Sequence, residues 1–338
     1  MKIDVFPHIL PSRLHDRMVK LVPPGSFMQR RVREIPVLYD LEARFRVMDR
    51  FDDYVQVLTL GMPIEALGGP DVTPELARMA NDEMAELVSK HPDRFPGFVG
   101  ALPMNQPEAA LRETERAVRH LGACGVLVFT NVNGRPLDEP ASLRVLERAA
   151  ELNAPIWLHP IRPASFPDYV GEDHSRYELW WAFGWPAETS VAMGRLVFAG
   201  LFDRYPDLLV ITHHLGGTVP YLEGRAAAGL DQIGTRSDDP EDSAARGRLQ
   251  AGRPIDYFRR FHADTALFGA GPAALECGLA FFGVDRVLFG TDMPFDPEKG
   301  PGLIRDTIAG IERMRITPVE RGQIYEGNAR RLLKLRRV

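Results

Sequence analysis

The sequence is poor in cysteine and has no long apolar run. Its two cysteines, Cys124 and Cys277, stand far apart and form no ligand-spaced pair, which argues against a disulfide framework or a cysteine metal site. No stretch approaches the ~20 consecutive apolar residues of a membrane helix. The short apolar run between Lys2 and Phe6 is also unlike a secretory signal. We therefore expect a cytoplasmic protein that does not insert into a membrane.

The sequence also lacks an excess of charge of one sign. Its 41 Lys and Arg residues and 46 Asp and Glu residues give a formal net charge of −5. A protein that binds nucleic acid usually carries a basic surface, so nucleic acid is not an expected partner. With 338 residues, 45% of them hydrophobic, the chain is long enough for one α/β barrel with loop insertions. We interpret residues 1–338 as a single domain.

Short apolar runs alternate with segments of helical periodicity, which indicates a parallel sheet whose strands are joined by helices. Strands are predicted at residues 3–5, 54–60, 95–101, 125–129, 155–158, 208–212, 261–265 and 287–289. Helices are predicted at residues 41–51, 73–90 (with Thr73 as the N-cap), 106–121, 141–152, 187–205, 272–282, 302–313 and 317–333. Eight strands are typical of a (β/α)8 TIM barrel. An irregular insertion is expected up to about residue 39, a long aromatic loop at 161–186, and a helix with a surface excursion at 226–255.

Four of the predicted strands are followed by residues that bind metals or transfer protons. His8, His159, His214 and Asp292 follow the first, fifth, sixth and eighth strands. Because catalytic residues of such barrels lie at the C-terminal ends of the strands, we expect these side chains to converge. His8, His159 and Asp292 could supply the three protein ligands of a catalytic divalent metal ion such as zinc. His214 would then be an acid/base beside the metal, or a fourth ligand.

Two further residues near these strand ends are ambiguous. His213 and His214 are adjacent, so only one of them should point at the site, and we favour His214 because it lies at the turn into Gly216-Gly217. His213 is then expected to be structural. Asp264, at the end of the seventh strand, is expected to be a structural hydrogen-bonding partner near the site.

Motifs that span the chain resemble those of the amidohydrolase-related (amidohydrolase 2) family of metal-dependent enzymes. The similarity is greatest to the aminocarboxymuconate-semialdehyde decarboxylase branch. The matching segments are Met1–Asp4 with His8–Pro11, Glu42–Arg44 with Met48-Asp49, Gly100–Met104, His159-Pro160, Gly184–Thr189, His214 with Gly216-Gly217, Gly224-Arg225, Gly290–Asp292 with Pro294-Phe295, and Gly327–Ala329. The resemblance implies a (β/α)8 barrel, in agreement with the strand count.

The resemblance also implies roles for individual residues. His8, His159 and Asp292 would be ligands of a divalent metal, usually Zn²⁺, and His214 would be the catalytic histidine. A further set would serve the substrate: Arg44 would hold a carboxylate through its guanidinium fork, Trp181 would line the pocket, and Arg225 would reach into the site of a neighbouring subunit. The last role implies a homodimer.

The sequence departs from the family pattern at Phe6. The family's first strand ends in His-x-His or Glu-x-His, whereas this chain has Phe6-Pro7-His8. Since phenylalanine cannot bind a metal, one ligand is missing. Three ligands with water, the addition of His214, or a site without metal remain as alternatives. The phenyl ring is also expected to make that side of the pocket more apolar.

Three functions are compatible with these residues. The first is non-oxidative decarboxylation of an unsaturated or aromatic carboxylic acid, with His214 as acid/base. The second is metal-dependent hydrolysis of an ester, a lactone or an activated C–C bond on the same scaffold, with Asp292 or His214 as the catalytic residue that takes the proton. The third is a binding barrel without catalytic activity, which the substitution at Phe6 would explain. Each of the three takes a small molecule as its partner.

Overall fold

The computed structural model describes residues 1–22, 32–269 and 271–335 of the chain. The predicted irregular insertion up to residue 39 and the chain terminus therefore lie partly outside the described residues. The strands, in chain order, are Lys2–Asp4 (β1), His8–Ile9 (β2), Tyr54–Leu60 (β3), Gly97–Phe98 (β4), Gly100–Ala101 (β5), Val126–Phe129 (β6), Asn131–Val132 (β7), Arg135–Pro136 (β8), Ile156–His159 (β9), Val210–Thr212 (β10), His262–Asp264 (β11) and Val287–Leu288 (β12).

The strands form a parallel barrel in which neighbours in space are also neighbours in the chain. β1 pairs with β3, and β3 pairs with β4. From β5 the pairing continues through β6, β9, β10 and β11 to β12. The amide of Val5 then donates to the carbonyl of Phe289 at 2.9 Å, which joins the last strand to the first. Eight strand positions close the ring, as the alternation of apolar runs predicts, and only β7 and β8 form a separate antiparallel hairpin in the described chain.

The strands are apolar on both faces because helices cover the outside of the barrel and side chains fill the inside. All seven residues of β3 are buried. Inside the barrel, Trp157 of β9 is fully buried, and its indole Nε1 donates to the carbonyl of Val5 at 2.9 Å. This bond ties the fifth strand position to the first across the interior, close to where the strands end.

Most of the helices that surround the barrel lie near their predicted positions. They are Ser12–Leu21, Leu41–Met48, Thr73–Lys90, Pro107–Arg119, Pro140–Glu151, Trp185–Phe198, Leu201–Arg204, Glu223–Leu230, Pro240–Arg248, Pro254–Phe258, Pro272–Phe282, Pro301–Glu312, Pro318–Gly322 and Asn328–Leu332. Many begin with proline, whose fixed φ suits the first turn and whose missing N–H is not needed there. None of the helices that the structure describes has the length and apolar composition of a membrane span.

Some boundaries and caps differ from the prediction. Ser12–Leu21 is a helix inside the expected irregular insertion, because Leu14 and Met18 form an i, i+4 apolar pair that is buried against the barrel. Val72, not Thr73, occupies the N-cap of the helix that follows it. The Thr73 hydroxyl instead donates to Asn105 Oδ1 at 2.7 Å. The helix predicted at 187–205 breaks at Gly200, which has a φ of 70°.

Candidate metal centre

Four buried side chains converge at the C-terminal ends of the strands. His8, His159, His213 and Asp292 each offer one ligand atom, and these atoms all lie within 4.8 Å of one another. They come from β2, the end of β9, the residue after β10 and the loop after β12. Asp292 adopts a φ of 63°, a strained conformation for a residue with a side chain. Its amide donates to the carbonyl of Phe6 at 3.1 Å, which holds this loop against the first strand.

The three histidines share one hydrogen-bonding arrangement. Nδ1 of His8 faces the carbonyl of Leu60 at 3.2 Å, and Nδ1 of His159 faces the carbonyl of Pro160 at 2.6 Å. Nδ1 of His213 faces the carboxylate of Asp264. Because a carbonyl or carboxylate oxygen can only accept, each ring donates from Nδ1, so Nε2 carries the lone pair when the ring is neutral. This is the tautomer that binds a metal through Nε2, with the second ring nitrogen anchored by a fixed acceptor.

Two of the three Nε2 atoms lack a hydrogen-bond partner in the described part of the chain. Among the described residues, neither His8 Nε2 nor His213 Nε2 makes a hydrogen bond, although both atoms are buried. They lie 2.8 and 3.2 Å from Asp292 Oδ1, close to the carboxylate but without hydrogen-bond geometry. Buried polar atoms without a partner are uncommon and call for an explanation. Imidazole and carboxylate suit zinc and similar divalent ions, so the donor set fits such an ion.

The electrostatics of the cluster agree with this assignment. Burial opposes the charged form of Asp292, but the His213 and His8 rings beside its carboxylate hold its pKa well below the usual range. Burial, with His213 and His8 nearby, lowers the pKa of His159 well below its ordinary value. Burial also disfavours charge on His213, yet Asp264 raises its pKa to about 9. A metal ion bound at His213 therefore has to displace a proton.

Our choice between the adjacent histidines needs correction, because His213 and not His214 belongs to the cluster. The amide of His213 donates to the carbonyl of Leu158 at 3.1 Å, which sets His213 level with His159 on the neighbouring strand. His214 has a φ of 52°, and its Nδ1 donates to the carbonyl of Ala266 at 2.8 Å. Its ring stacks on that of His213 with centroids 3.8 Å apart. The sequence signal for His213 is its place directly after the apolar run, the same place that His159 and Asp264 hold at the ends of theirs.

His214 remains beside the centre in a definite protonation state. Burial and then the neighbouring His213 lower the pKa of His214 to about 4. With Nδ1 donating to Ala266, Nε2 of the neutral ring carries a lone pair. The neutral His214 ring can therefore accept a proton at Nε2 but has no proton there to donate.

Phe6 lies beneath the cluster instead of in the substrate pocket. It is fully buried, and its ring stacks on His213 with centroids 4.0 Å apart and an interplanar angle of 24°. The centroids of His8 and His159 lie 5.9 and 6.0 Å away. Phe6 thus packs against all three histidines, and the cavity beside them has other walls. The expectation that it makes the pocket more apolar does not hold.

Arg44 also lies away from the pocket, contrary to the role that the resemblance implied. Its side chain is buried, and its guanidinium donates to the carbonyls of Val37 and His8 and to Gln56 Oε1. Gln56 Nε2 in turn donates to the hydroxyl of Tyr54, and that hydroxyl donates to the carboxylate of Asp4. The Arg44 guanidinium, which we expected to hold a substrate carboxylate, already donates to these three acceptors of the protein. Arg44 instead fixes the backbone of His8.

A large cavity opens above the cluster. Its volume is about 780 Å³, and its walls include His159 and Asp292 of the cluster. The other walls are mostly aromatic and aliphatic, with Phe129, Phe166, Trp180, Trp181, Trp185 and Phe295 among them. Trp181 packs edge-on against Phe268 with centroids 5.3 Å apart. The aromatic segment 161–186 therefore contributes to the wall of this cavity.

The architecture and the strand-end cluster agree with the comparison of the sequence with known families. The amidohydrolase family model matches residues 7–335. The chain belongs to the amidohydrolase family.

Relatives within this amidohydrolase family cover nearly the whole chain. The chain is 34% identical to gamma-resorcylate decarboxylase of Polaromonas sp. strain JS666, over 88% of each sequence. It is 31% identical to 2-amino-3-carboxymuconate-6-semialdehyde decarboxylase of Dictyostelium discoideum, over 91% of this chain and 86% of that protein. The solved structure of dihydroxybenzoic acid decarboxylase from Polaromonas sp. JS666, with bound manganese and the inhibitor 2-nitroresorcinol, superposes with a TM-score of 0.75 and 30% identity. That superposition covers 98% of this chain and 96% of the other.

Arg225 of this amidohydrolase lies on another surface. It is an exposed residue of the helix Glu223–Leu230 and lines a second cavity of about 540 Å³, which shares no lining residue with the first. Tyr221 and Leu222, beside it in sequence, are 84% and 38% exposed. Arg225 is thus not a wall of the cavity above its own cluster.

Proposed function

We propose that this amidohydrolase is a metal-dependent, non-oxidative decarboxylase of an aromatic or unsaturated carboxylic acid. The observation that carries the proposal is the convergence of three imidazole rings and the Asp292 carboxylate beside a cavity with aromatic walls. The decarboxylases to which the chain is similar support it. In this proposal His8, His159, His213 and Asp292 hold one divalent ion, and the substrate is a small-molecule carboxylate.

The metal supplies Lewis-acid polarisation of a substrate oxygen when it is bound. Three nitrogen donors and one carboxylate suit zinc, the ion that the resemblance implied, and manganese is the ion bound in the dihydroxybenzoic acid decarboxylase structure. Asp264 orients the His213 ring, and the carbonyls of Leu60 and Pro160 orient the other two rings. The donor atoms are therefore held in place before any ion binds, which lowers the cost of assembling the site.

The carbon that loses CO₂ must gain a proton, and this chain's residues have to manage that transfer. We assign His214 the acid/base role because its Nε2 lone pair is available while Nδ1 is fixed on Ala266. Asp292 is the second proton-transfer candidate because it lines the cavity as well as belonging to the cluster. Trp181 and the other aromatic walls would hold a flat ring in place and exclude water. Arg225 would act in the neighbouring subunit's site of a homodimer.

Product analysis tests the proposed reaction directly. Metal-loaded protein is incubated with a panel of hydroxybenzoates, and CO₂ release is measured beside His159→Ala as a matched control. We expect CO₂ from the wild-type protein and none above background from the variant. Incorporation of oxygen from labelled water into an ester or lactone substrate, without CO₂, would instead favour a hydrolase. Metal-free protein with no activity on any carboxylate would favour a binding barrel.

A further inference from the structure

Among the described residues, Glu65 is a charged side chain of the cavity wall that forms no ion pair and is partly sheltered from solvent. In the described part of the chain, the charged residues of the wall are Glu65, Arg162, Glu178 and Asp292. Asp292 belongs to the metal cluster, and Arg162 is paired with Glu188 Oε1 at 3.3 Å and the carbonyl of Pro167 at 2.9 Å. Glu178 is exposed. Glu65 is more protected from solvent than Glu178, and it forms no ion pair among the described residues.

Glu65 lies in a short turn that also approaches the metal centre. The turn Ile64–Ala66 follows β3, whose last residue, Leu60, accepts the hydrogen bond from His8. Gly61 starts the connection, and a Cβ at that position would lie 3.3 Å from His8 Cβ and 3.5 Å from Phe295 Cζ. The segment that carries Glu65 is therefore anchored on a metal-ligand residue. Glu65 itself lines the cavity wall.

The local environment leaves the Glu65 carboxyl group with unused acceptor capacity. Burial raises the pKa of Glu65 to about 7, and the nearby backbone amides of Glu65 and Met104 offset part of this rise. A carboxylate has about four acceptor positions, and one that is buried without a cation is costly unless hydrogen bonds compensate. In an otherwise mostly apolar wall, a hydrogen-bond donor on the ligand is the group that would provide this compensation.

We propose that Glu65 is a specificity-determining residue that accepts a hydrogen bond from a hydroxyl or amino substituent on the ring of the substrate. The inference rests on the proposed function, because it takes the ligand to be an aromatic acid. The inference limits the proposed substrates to aromatic acids whose ring carries a hydrogen-bond donor. A site built to bind such a donor discriminates strongly against analogues without it, since the buried acceptor is then left unpaired.

Calorimetric binding to the metal-loaded protein tests this inference. The probes are benzoates with a hydroxyl, an amino or a methyl group at each ring position, and the proteins are wild type, Glu65→Gln, Glu65→Leu and Glu178→Gln. For at least one ring position we expect the wild-type protein to bind the donor-bearing probe about 10-fold more tightly than the methyl probe. The ratio should fall to about 1 in Glu65→Leu, be intermediate in Glu65→Gln, and be unchanged in Glu178→Gln.

The possible failures are distinguishable. If the benzoates bind and Glu65→Leu keeps the wild-type ratio, the role of Glu65 is wrong while the proposed function stands. If no benzoate binds to the metal-loaded wild-type protein, the proposed function and the inference fall together. Glu65→Gln preserves shape and one acceptor, so a folding defect confined to Glu65→Leu leaves the ratio in Glu65→Gln as the deciding measurement.

Discussion

At the scale of single residues, the metal centre depends on groups that never touch the metal. Leu60 and Pro160 contribute only backbone carbonyls, and Asp264 contributes a carboxylate to a ring nitrogen. Each fixes the tautomer of one histidine, so all three lone pairs are directed toward the same space. Changes at such anchoring positions typically cost 10- to 100-fold in metal affinity.

Glu65 offers a stability prediction with a defined sign. Its pKa is raised from 4.5 to about 7, so its contribution to stability is present below pH 4.5 and is lost as the pH rises through 7. Glutamine does not ionise, so Glu65→Gln avoids the loss of stability that the wild-type protein shows as the pH rises. We expect the variant to be about 2 kcal/mol more stable than wild type at pH 8, after allowance for partial exposure, and nearly equal to it at pH 4.5. Urea unfolding at the two pH values measures the difference in free energy of unfolding between the variant and the wild type. The same difference at both pH values would contradict the prediction.

Arg44 offers a second prediction, because it fixes the carbonyl of His8 from within the protein. Arg44→Met leaves this carbonyl and Gln56 Oε1 without their donor. We expect metal affinity to fall about 10-fold and the free energy of unfolding to fall by about 3 kcal/mol, with partial rescue in Arg44→Lys. Metal titration with a chromophoric competitor measures the affinity.

A remote core truncation separates positioning by Arg44 from general destabilisation. Leu146 is fully buried in the helix Pro140–Glu151, and Leu146→Ala should cost about 3 kcal/mol. This variant is expected to keep wild-type metal affinity. If it loses as much affinity as Arg44→Met, Arg44 has no specific positioning role.

At the scale of elements, register decides which side chains meet. In the parallel pairing of β9 with β10, Leu158 is opposite Thr212, so the next residues, His159 and His213, are also level. Residues at one level on neighbouring strands point to the same side of the sheet. His214 is one residue further along and turns toward Ala266. Two adjacent histidines consequently have different surroundings.

The pair His213→Asn and His214→Asn tests this division. We expect His213→Asn to lose metal affinity by at least about 10-fold. His214→Asn should retain stoichiometric metal and bind the substrate, but with kcat reduced about 100-fold or more. Elemental analysis and turnover on the same preparations give both readouts. Metal loss in His214→Asn with retention in His213→Asn would reverse the assignment.

Helices and strands were largely predictable, whereas irregular segments were not. The strand positions follow from apolar runs that are buried on both faces, as in β3. The helix Ser12–Leu21 is absent from the prediction because its segment is mostly polar and charged, and only Leu14 and Met18 are buried on it. The destination of the Arg44 side chain was also unpredictable, since it depends on Gln56 and His8 from other strands.

At the scale of the whole molecule, the metal is expected to stabilise the fold. An ion that binds only the native state adds about 2.7 kcal/mol at a concentration 100-fold above its Kd. Removal of the metal with a chelator should therefore lower Tm by roughly 5 °C, and zinc or manganese should restore it. Differential scanning calorimetry measures the shift. His159→Ala serves as the control, because the same additions should leave its Tm unchanged.

The proposed homodimer makes a prediction about mixed subunits. If Arg225 acts in the neighbouring site, Arg225→Ala and His214→Asn disable different halves of the same active site. Mixing the two inactive variants after subunit exchange should then restore up to about a quarter of wild-type activity. Sedimentation velocity checks that a dimer is present. A monomer, or no recovery in exchanged dimers, would contradict the role of Arg225.

The sequence by itself determined the barrel and the neighbourhood of its site. Apolar runs at regular intervals have to become buried strands, and the residues that follow them have to collect at one end of a parallel barrel. Only the tertiary structure decided which of those residues meet. The register of β9 and β10 set His213 beside His159, side-chain contacts turned Arg44 inward, and Phe6 packed beneath the histidines. Such choices depend on contacts between segments far apart in the chain, which a local pattern does not contain.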